Sequence, residues 1–193
     1  MARVFVITGP SGVGKGTLIR SLCERFPELE LTVSATTRAP RPGERDGVDY
    51  HFLTAEEFDA HVAAGDFLEY ADYSGNRYGT LRSEVDRRLQ RGVPVVLEIE
   101  VQGARQVRRA LPESVAVFIA PPSTQALRTR LISRGTDSGE QVEARLATAE
   151  RELEAASEFT HLVVNDRLED AIEELAAIVG TELDPEGPAT ATL

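Results

Sequence analysis

The sequence predicts an α/β fold in which helices flank a parallel sheet. Short apolar runs rich in β-branched residues alternate with helical patterns, which is typical of strands joined by crossover helices. A glycine-rich turn joins the first run to the first helical pattern, and such a turn suits ligand binding in this class of fold. With 193 residues, of which 41% are hydrophobic and 27% charged, the chain is long enough for one domain with a sizeable core.

Four runs are predicted to be strands of this sheet. They cover Arg3–Gly9, Val93–Glu100, Ser114–Ala120 and His161–Asp166. Each run is short and mainly apolar, as expected of strands that are buried on both faces. After the first run, Leu18, Leu22 and Phe26 recur at helical spacing, which predicts the first helix.

Two stretches interrupt this alternation. Between about Ser34 and Thr80, short strands and turns surround one brief helix, which Thr54 and Glu57 open with the spacing of a capping box. A polar, glycine-punctuated stretch from Arg134 suits a lid. We therefore expect a single domain made of a core (1–33 and 81–134), an inserted mixed α+β lobe (34–80), a lid (135–145), a continuation of the core (146–183) and a flexible tail (184–193).

Charge and composition limit the possible partners. The formal net charge is −11, which repels nucleic acid and anionic membranes, so we expect neither as a partner. Any phosphate that the protein binds must then be held by a local basic site. The opening apolar run is too short for a signal peptide, and we expect a cytoplasmic protein.

The turn GPSGVGKGT has the spacing of a phosphate-binding loop. Lys15, which directly follows a glycine there, is the only lysine among 21 Lys and Arg residues. Glycines let consecutive N–H groups surround an anion, and the following helix adds its dipole. The alternative is a glycine-rich turn with an incidental lysine. The expected phosphate-binding residues are Gly9, Pro10, Ser11, Gly12, Val13, Gly14, Lys15, Gly16 and Thr17.

The loop departs from the usual pattern at one position. A Ser or Thr that binds Mg²⁺ normally follows the lysine directly, whereas here Gly16 follows Lys15 and Thr17 comes next. Thr17 is therefore the candidate magnesium ligand of the loop.

A second cluster lies in SATTRAPRPGERDGVDYHF, residues 34–52. Arg38 and Arg41 are three residues apart in a segment stiffened by proline and glycine. Two guanidinium groups so placed can hold one phosphate, and the hydroxyl of Tyr50 can donate to it. An exposed basic loop is the alternative.

Together these segments resemble the guanylate kinase family. The segments that match, in the family's order, are GPSGVGKGT, SATTRAPRPGERDGVDYHF, FLEYADYSGNRYGT, LEIEVQGARQVR and RLISRGTDS. The resemblance extends from Val4 to about Ile178. It implies a P-loop NTPase-type sheet with an inserted nucleoside-monophosphate-binding lobe and a short lid. It also implies transfer of the γ-phosphoryl group of ATP to GMP, with Mg²⁺ accompanying ATP.

The resemblance implies an acceptor site for GMP. Guanine presents N1–H and N2–H₂ as adjacent donors, so the carboxylate of Glu69 is the expected discriminator of the base. The alternative for Glu69 is a solvated acid on a half-buried strand. Glu98 and Glu100, which alternate at the end of a predicted strand, are expected to reach either Mg²⁺ through water or the acceptor. The implied GMP-binding residues are Ser34, Arg38, Arg41, Tyr50, Glu69, Tyr78, Thr80, Glu98, Glu100 and Arg145.

The resemblance also implies further residues that bind ATP, the phosphoryl donor, and residues that act in catalysis. Arginines in and beside the lid are expected to neutralise the charge on the transferring phosphoryl group. Asn165 and Asp166 resemble adenine contacts, although Asp166 equally suits a helix N-cap. The implied further ATP-binding residues are Arg130, Arg134 and Asn165. The expected catalytic residues are Lys15, Arg38, Arg134 and Arg145.

Two other functions remain open from the sequence. One is a non-catalytic binding module built on the same fold, which the intact Lys15 and the paired arginines disfavour. The other is a kinase for another phosphorylated sugar or nucleotide, against which Glu69 and the full acceptor segment favour guanine.

Overall fold

A computed structural model describes residues 3–73, 75–133 and 139–184. The strands in these ranges are β1 (Val4–Thr8), β2 (Glu30–Leu31), β3 (Ala35–Thr36), β4 (His51–Phe52), β5 (Phe67–Tyr73), β6 (Asn76–Leu81), β7 (Val95–Glu98), β8 (Val115–Ala120) and β9 (His161–Val164). The α-helices are α1 (Lys15–Arg25), α2 (Ala55–Ala64), α3 (Arg82–Gln90), α4 (Val101–Ala110), α5 (Thr124–Ser133), α6 (Gly139–Glu154) and α7 (Leu168–Leu183). A short 3₁₀ helix, Ala155–Glu158, follows α6.

The chain divides into two compact units, and β1 contributes to both. The first unit contains Met1–Val6 and Glu28–Ser114, and the second contains Ile7–Pro27 and Val115–Leu193.

The first unit contains a parallel segment and a mixed sheet. In the parallel segment the strand order is β2-β7-β1, and β2 pairs in parallel with β7. The mixed sheet has the order β4-β3-β6-β5, with β3 parallel to β4 and antiparallel to β6. β5 lies at an edge of this sheet and pairs antiparallel with β6, which sets Glu69 opposite Thr80.

Aromatic side chains pack beneath the mixed sheet. Phe58 of α2 and Phe67 of β5 are both buried, and their rings stack with centroids 4.4 Å apart. The guanidinium group of Arg77 lies over the ring of Phe58, with its Cζ 4.3 Å from the ring centroid. This packing holds α2 against β5, and β5 carries Glu69.

The second unit continues the parallel arrangement. Its strand order is β1-β8-β9, and β8 and β9 are parallel, with Val117 opposite His161. α1 and α7 pack together, and Arg25 donates a hydrogen bond of 2.6 Å to Glu173. The apolar contact between α5 and α6 is formed by Leu127, Leu131, Val142, Leu146 and Ala149.

The predicted α/β class, with its parallel sheet and mixed second sheet, is confirmed. The capping box is also confirmed, because Glu57 N–H donates to the Thr54 hydroxyl and Thr54 N–H donates to the Glu57 carboxylate. The division into core, lobe, lid and tail stays a prediction, and its lid residues 135–138 and tail residues 185–193 lie outside the described ranges.

Each predicted strand run is longer than the strand in the structure, and two differences affect predicted site residues. The second predicted strand ends at Glu98 rather than Glu100, because the Glu100 side chain caps α4 by accepting from the N–H groups of Gln102 and Gly103. Asp166 does not cap α7, whose N-cap residue is Arg167 and which has no side-chain cap bond. Within the described ranges, no helix combines the length and apolar character needed to cross a bilayer.

Candidate active site

The turn between β1 and α1 depends on three glycines. Gly9, Gly12 and Gly14 have φ angles of 138°, 85° and 100°, a region that side chains disfavour. A Cβ on Gly9 would also lie 2.2 Å from the carbonyl oxygen of Ile119. The turn therefore requires glycine at these positions, and a glycine-rich turn of this kind is typical of anion-binding backbone.

Lys15 is the first residue of α1 and lies over the turn. Its Nζ donates to the carbonyl oxygens of Gly9, at 2.7 Å, and Pro10, at 3.2 Å. The N-cap residue of α1 is Gly14, which supplies no side-chain cap bond, and the first turn carries no acidic residue. The positive end of the helix dipole and the ammonium group thus lie at the same turn.

Two residues predicted to bind ATP, Asn165 and Arg130, form hydrogen bonds with main-chain carbonyl groups in and near the turn. Asn165 is buried, and its Nδ2 donates to the carbonyl oxygen of Val13 at 2.7 Å. Arg130 donates to the carbonyl oxygens of Asn165, at 2.8 Å, and Val13, at 3.3 Å. Both side chains are therefore bonded to the main chain around the turn, and the sequence patterns carried no signal of this supporting contact.

Three predicted residues remain to be placed: the magnesium ligand Thr17 and the catalytic arginines Arg134 and Arg145, of which Arg145 was also expected to bind GMP. Thr17 is exposed in the first turn of α1, and Arg145 is half-buried on α6. Arg134 lies outside the described residues.

Arg38 is the centre of the predicted phosphate-binding segment of the first unit. Its guanidinium group forms a two-pronged pair with the carboxylate of Glu44, at 2.8 and 2.9 Å. Rings of Tyr50 and Phe52 flank it, with centroids 5.2 and 5.8 Å from Cζ. The hydrogen bond to Glu44 raises the pKa of Arg38, and the same bond lowers the pKa of Glu44.

Glu44 is a site residue that the sequence analysis missed. It also accepts a hydrogen bond of 2.7 Å from the backbone N–H of Arg41. Its spacing from Arg38 and Arg41 carries no signal of these contacts, because spacing alone does not separate a paired charge from a solvated one. Arg41 itself has an exposed side chain, so of the two predicted arginines only Arg38 is fixed by a carboxylate.

Two predicted tyrosines lie beside Arg38. The rings of Tyr50 and Tyr78 meet edge to face with centroids 6.1 Å apart. Burial raises the pKa of Tyr50, and the negative charge of Glu98 raises it further. Ser34 is half-buried at the start of this segment, and its carbonyl oxygen accepts from the His51 N–H at 2.9 Å.

Glu69 is a buried acid on β5, with 3% of its surface exposed. The hydroxyl of Thr80 donates to its Oε1 at 2.7 Å. Burial raises the pKa of Glu69 to about 7, and the nearby charge of Glu100 adds to the increase against the opposing effect of the Thr80 bond. The alternative of a solvated strand position is therefore wrong, and a carboxyl group of this kind is typical of functional sites.

Glu98 and Glu100 have different surroundings. Glu98 is the last residue of β7 and is exposed, whereas Glu100 is half-buried and caps α4. The expectation that both lie on one face of a strand is wrong, because the strand has ended before Glu100.

Side chains alone do not form a metal centre in the described ranges. No group of three or more His, Cys, Asp or Glu residues there is arranged to hold a metal ion.

The chain is also similar to known proteins. The profile of the family described as guanylate kinase matches residues 1–182. The guanylate kinase of Synechococcus sp. (strain CC9311) is 54% identical over 175 residues, which cover 91% of this chain and 92% of the relative. That of Streptomyces coelicolor (strain ATCC BAA-471 / A3(2) / M145) is 52% identical over 176 residues, which cover 91% of this chain and 89% of the relative.

A solved structure is also similar. The crystal structure of guanylate kinase from Anaplasma phagocytophilum matches with a TM-score of 0.76 and 30% sequence identity, over 94% of this chain and 86% of that chain. With a family match across most of its length and relatives at about half identity, this chain belongs to the guanylate kinase family.

Proposed function

We infer that this protein transfers the γ-phosphoryl group of ATP to GMP, giving ADP and GDP. The family match supports the reaction, and one observation supports the choice of guanine. That observation is the carboxyl group of Glu69, which is 3% exposed and bonded to the Thr80 hydroxyl. A carboxylate in such a place is costly to bury, so a ligand that pairs with it is the simplest reason for its presence.

The base is recognised by complementary donors and acceptors. The two oxygens of Glu69 accept from N1–H and N2–H₂ of guanine, while the hydroxyl of Thr80 holds the carboxylate. Adenine presents an acceptor at N1 instead of a donor, so it would face the carboxylate with a lone pair. The acceptor phosphate is held by Arg38 and Arg41, with Tyr50 and Tyr78 donating hydroxyl groups.

ATP, the phosphoryl donor, is held chiefly by backbone groups. Backbone N–H groups of the glycine-rich turn and of the start of α1 surround the β- and γ-phosphates, and Lys15 adds a positive charge. A phosphate oxygen of GMP attacks the γ-phosphorus, a new P–O bond forms, and the bond to the β,γ-bridging oxygen breaks so that ADP leaves. Because the acceptor is already a nucleophile, positioning and charge neutralisation carry the catalysis.

Arginines complete the charge balance in this proposal. Arg134 and Arg145 neutralise charge on the transferring group, and Arg130 and Asn165 hold the turn that binds the phosphates. The lobe of residues 34–80 and the lid of residues 135–145 close on the bound substrates, because water in the site would hydrolyse ATP.

Mg²⁺ fits this scheme as a companion of ATP rather than as a resident ion. When bound, it would neutralise negative charge on the phosphates of ATP. Thr17 offers an exposed hydroxyl next to the turn, and Glu98 offers an exposed carboxylate that can bind a water of the ion. The phosphates themselves supply the oxygens that the described side chains do not.

A substrate panel tests the proposal. ADP release would be measured with ATP, Mg²⁺ and each of GMP, IMP, AMP, CMP and a sugar phosphate. We expect rapid release with GMP, weak release with IMP and background rates otherwise. Binding of GMP without ADP release would indicate a binding module, and release with another acceptor would indicate a different kinase.

A further inference from the structure

We propose that Gly103 of α4 is a specificity-determining positioning residue. By lacking a side chain, it leaves the space in which the carboxylate of Glu69 lies. This inference rests on the proposed function, in which that carboxylate reads guanine.

The space at Gly103 is filled by the acid. A Cβ at Gly103 would lie 2.3 Å from Oε2 of Glu69 and 3.0 Å from its Cδ. It would also lie 3.3 Å from Oε1 of Glu100. Ordinary contacts of carbon with oxygen are longer than the first of these distances by about an ångström, so any side chain would have to displace the Glu69 carboxylate or α4.

Backbone conformation does not explain the glycine. Gly103 lies in the first turn of α4 and is absent from the glycines with positive φ. Its N–H donates to Glu100, a bond that any residue except proline could make. Alanine is favoured over glycine in a helix, and therefore the space required by Glu69 is the remaining reason for glycine here.

The two oxygens of Glu69 have different neighbours. Oε1 accepts from the Thr80 hydroxyl of the neighbouring strand at 2.7 Å. Oε2 lies against the main chain of α4 at Gly103. A carboxylate held at both oxygens presents them in one orientation, as recognition of two adjacent donors requires.

One turn further along, α4 also holds the backbone next to Glu69. Nε2 of Gln106 donates to the carbonyl oxygen of Tyr70 at 2.7 Å, and the Tyr70 N–H donates to Oε1 of Gln106 at 3.3 Å. The amide thus pairs with the outer edge of β5 as a neighbouring strand would. Gly103 and Gln106 together fix the side chain and the backbone at the base-reading position.

Steady-state kinetics with GMP and IMP test this role. For Gly103→Ala we expect kcat/KM for GMP to fall by about 10- to 100-fold, the effect of a misplacement near 1 Å. The preference for GMP over IMP should shrink, and KM for ATP should stay unchanged. The control is Gly180→Ala in α7, where a Cβ would make only ordinary contacts of 3.6 and 3.8 Å with Phe26; it should leave both preference and rate unchanged.

A second measurement does not depend on activity. Thermal unfolding would be recorded for Gly103→Ala in the parent and in a Glu69→Ala background. We expect the alanine to lower Tm in the parent, and to be neutral or stabilising once the Glu69 carboxylate is removed. An equal loss of Tm in both backgrounds would overturn the proposal, as would a Gly103→Ala enzyme with parental GMP preference.

These experiments distinguish a failure of the proposed function from a failure of the role of Gly103. If the parent shows no preference for GMP over IMP, the role of Glu69 in base choice is wrong, whatever the unfolding data show. If the parent prefers GMP and Gly103→Ala behaves like Gly180→Ala, the positioning role of Gly103 is wrong and the proposed function stands.

Discussion

The turn before α1 and the predicted GMP-binding side chains of the first unit are built in different ways. The turn is made of main chain, with three glycines at positive φ and one lysine folded over its carbonyl groups. The predicted GMP-binding residues of the first unit act through side chains, among which Glu69 is buried and Arg38 is paired with Glu44. One region uses backbone that many sequences could share, and the other uses particular side chains.

The difference follows from what each region has to recognise. Phosphate is common to all nucleotides, and a ring of N–H groups binds it without regard to the base. A base is recognised only by its own donors and acceptors, which demands a side chain in a fixed place and the cost of burying it. Changes in the turn should therefore alter the rate with every acceptor equally. Changes in the predicted GMP-binding side chains should instead alter the choice of acceptor.

The largest effect is expected for Lys15→Met, which removes the charge at the turn. We expect kcat to fall about 1,000-fold, the upper range for loss of one donor to a developing charge. GMP and IMP should lose rate by the same factor in a coupled ADP assay, because the base contacts are untouched. If the ratio of kcat with GMP to kcat with IMP changed, the turn would also take part in choosing the acceptor, contrary to the comparison above.

The single lysine of the chain provides an independent check. An amine-directed reagent can modify only Lys15 and the N-terminus, and peptide mass spectrometry separates the two. Mg-ATP should protect Lys15 alone, and equal labelling with and without nucleotide would count against its place at the phosphates.

The next effect is expected for Glu69→Gln. The amide keeps the size of the side chain but turns one acceptor into a donor that faces a donor of guanine. We expect kcat/KM for GMP to fall roughly 100-fold, or about 3 kcal/mol, with IMP losing less because it lacks the 2-amino group. KM for ATP should be unchanged. Equal losses for both acceptors would mean a structural role for Glu69.

A smaller effect is expected from pH. With a pKa of about 7, Glu69 is mostly protonated at pH 6 and must lose its proton to accept from both guanine donors. KM for GMP should therefore fall by about tenfold as pH rises from 6 to 8, because the ionised fraction of a group with this pKa rises from about one tenth to about nine tenths. The phosphate of GMP also ionises near pH 6, so Glu69→Gln is the control. A variant with the parental pH profile would exclude Glu69 as the cause.

The smallest effect is expected for Thr17→Ala. Its hydroxyl is exposed, and water can replace it beside a phosphate-bound ion, so we expect kcat to fall about threefold. The loss should be the same for GMP and IMP when initial rates are compared at saturating Mg-ATP. A loss as large as that of Lys15→Met would show that Thr17 is a principal magnesium ligand.

Local features were predictable from the sequence because their causes are local. The glycines of the turn and the capping box of Thr54 and Glu57 need only neighbours a few residues away. The pairing of Arg38 with Glu44 also lies within one segment, but its geometry depends on how that segment turns. No spacing rule separates this pair from two solvated charges.

Features that depend on distant contacts could not be predicted. Whether Glu69 is buried depends on Thr80 across the sheet and on α4, and the strand pattern was equally compatible with a solvated acid. The end of β7 was misplaced because a capping side chain replaced a strand position at Glu100. In each of these cases tertiary contacts outweighed the local pattern.

The bond between Asn165 and Val13 joins residues that are 152 positions apart. During synthesis at about 5–20 residues per second, Asn165 is made roughly 8 to 30 seconds after the turn that it supports. A nascent chain therefore carries the whole phosphate-binding sequence long before that sequence gains its buried partner. A chain that stopped short of residue 165 would retain every glycine of the turn and its lysine, yet lack the amide that holds Val13 in place.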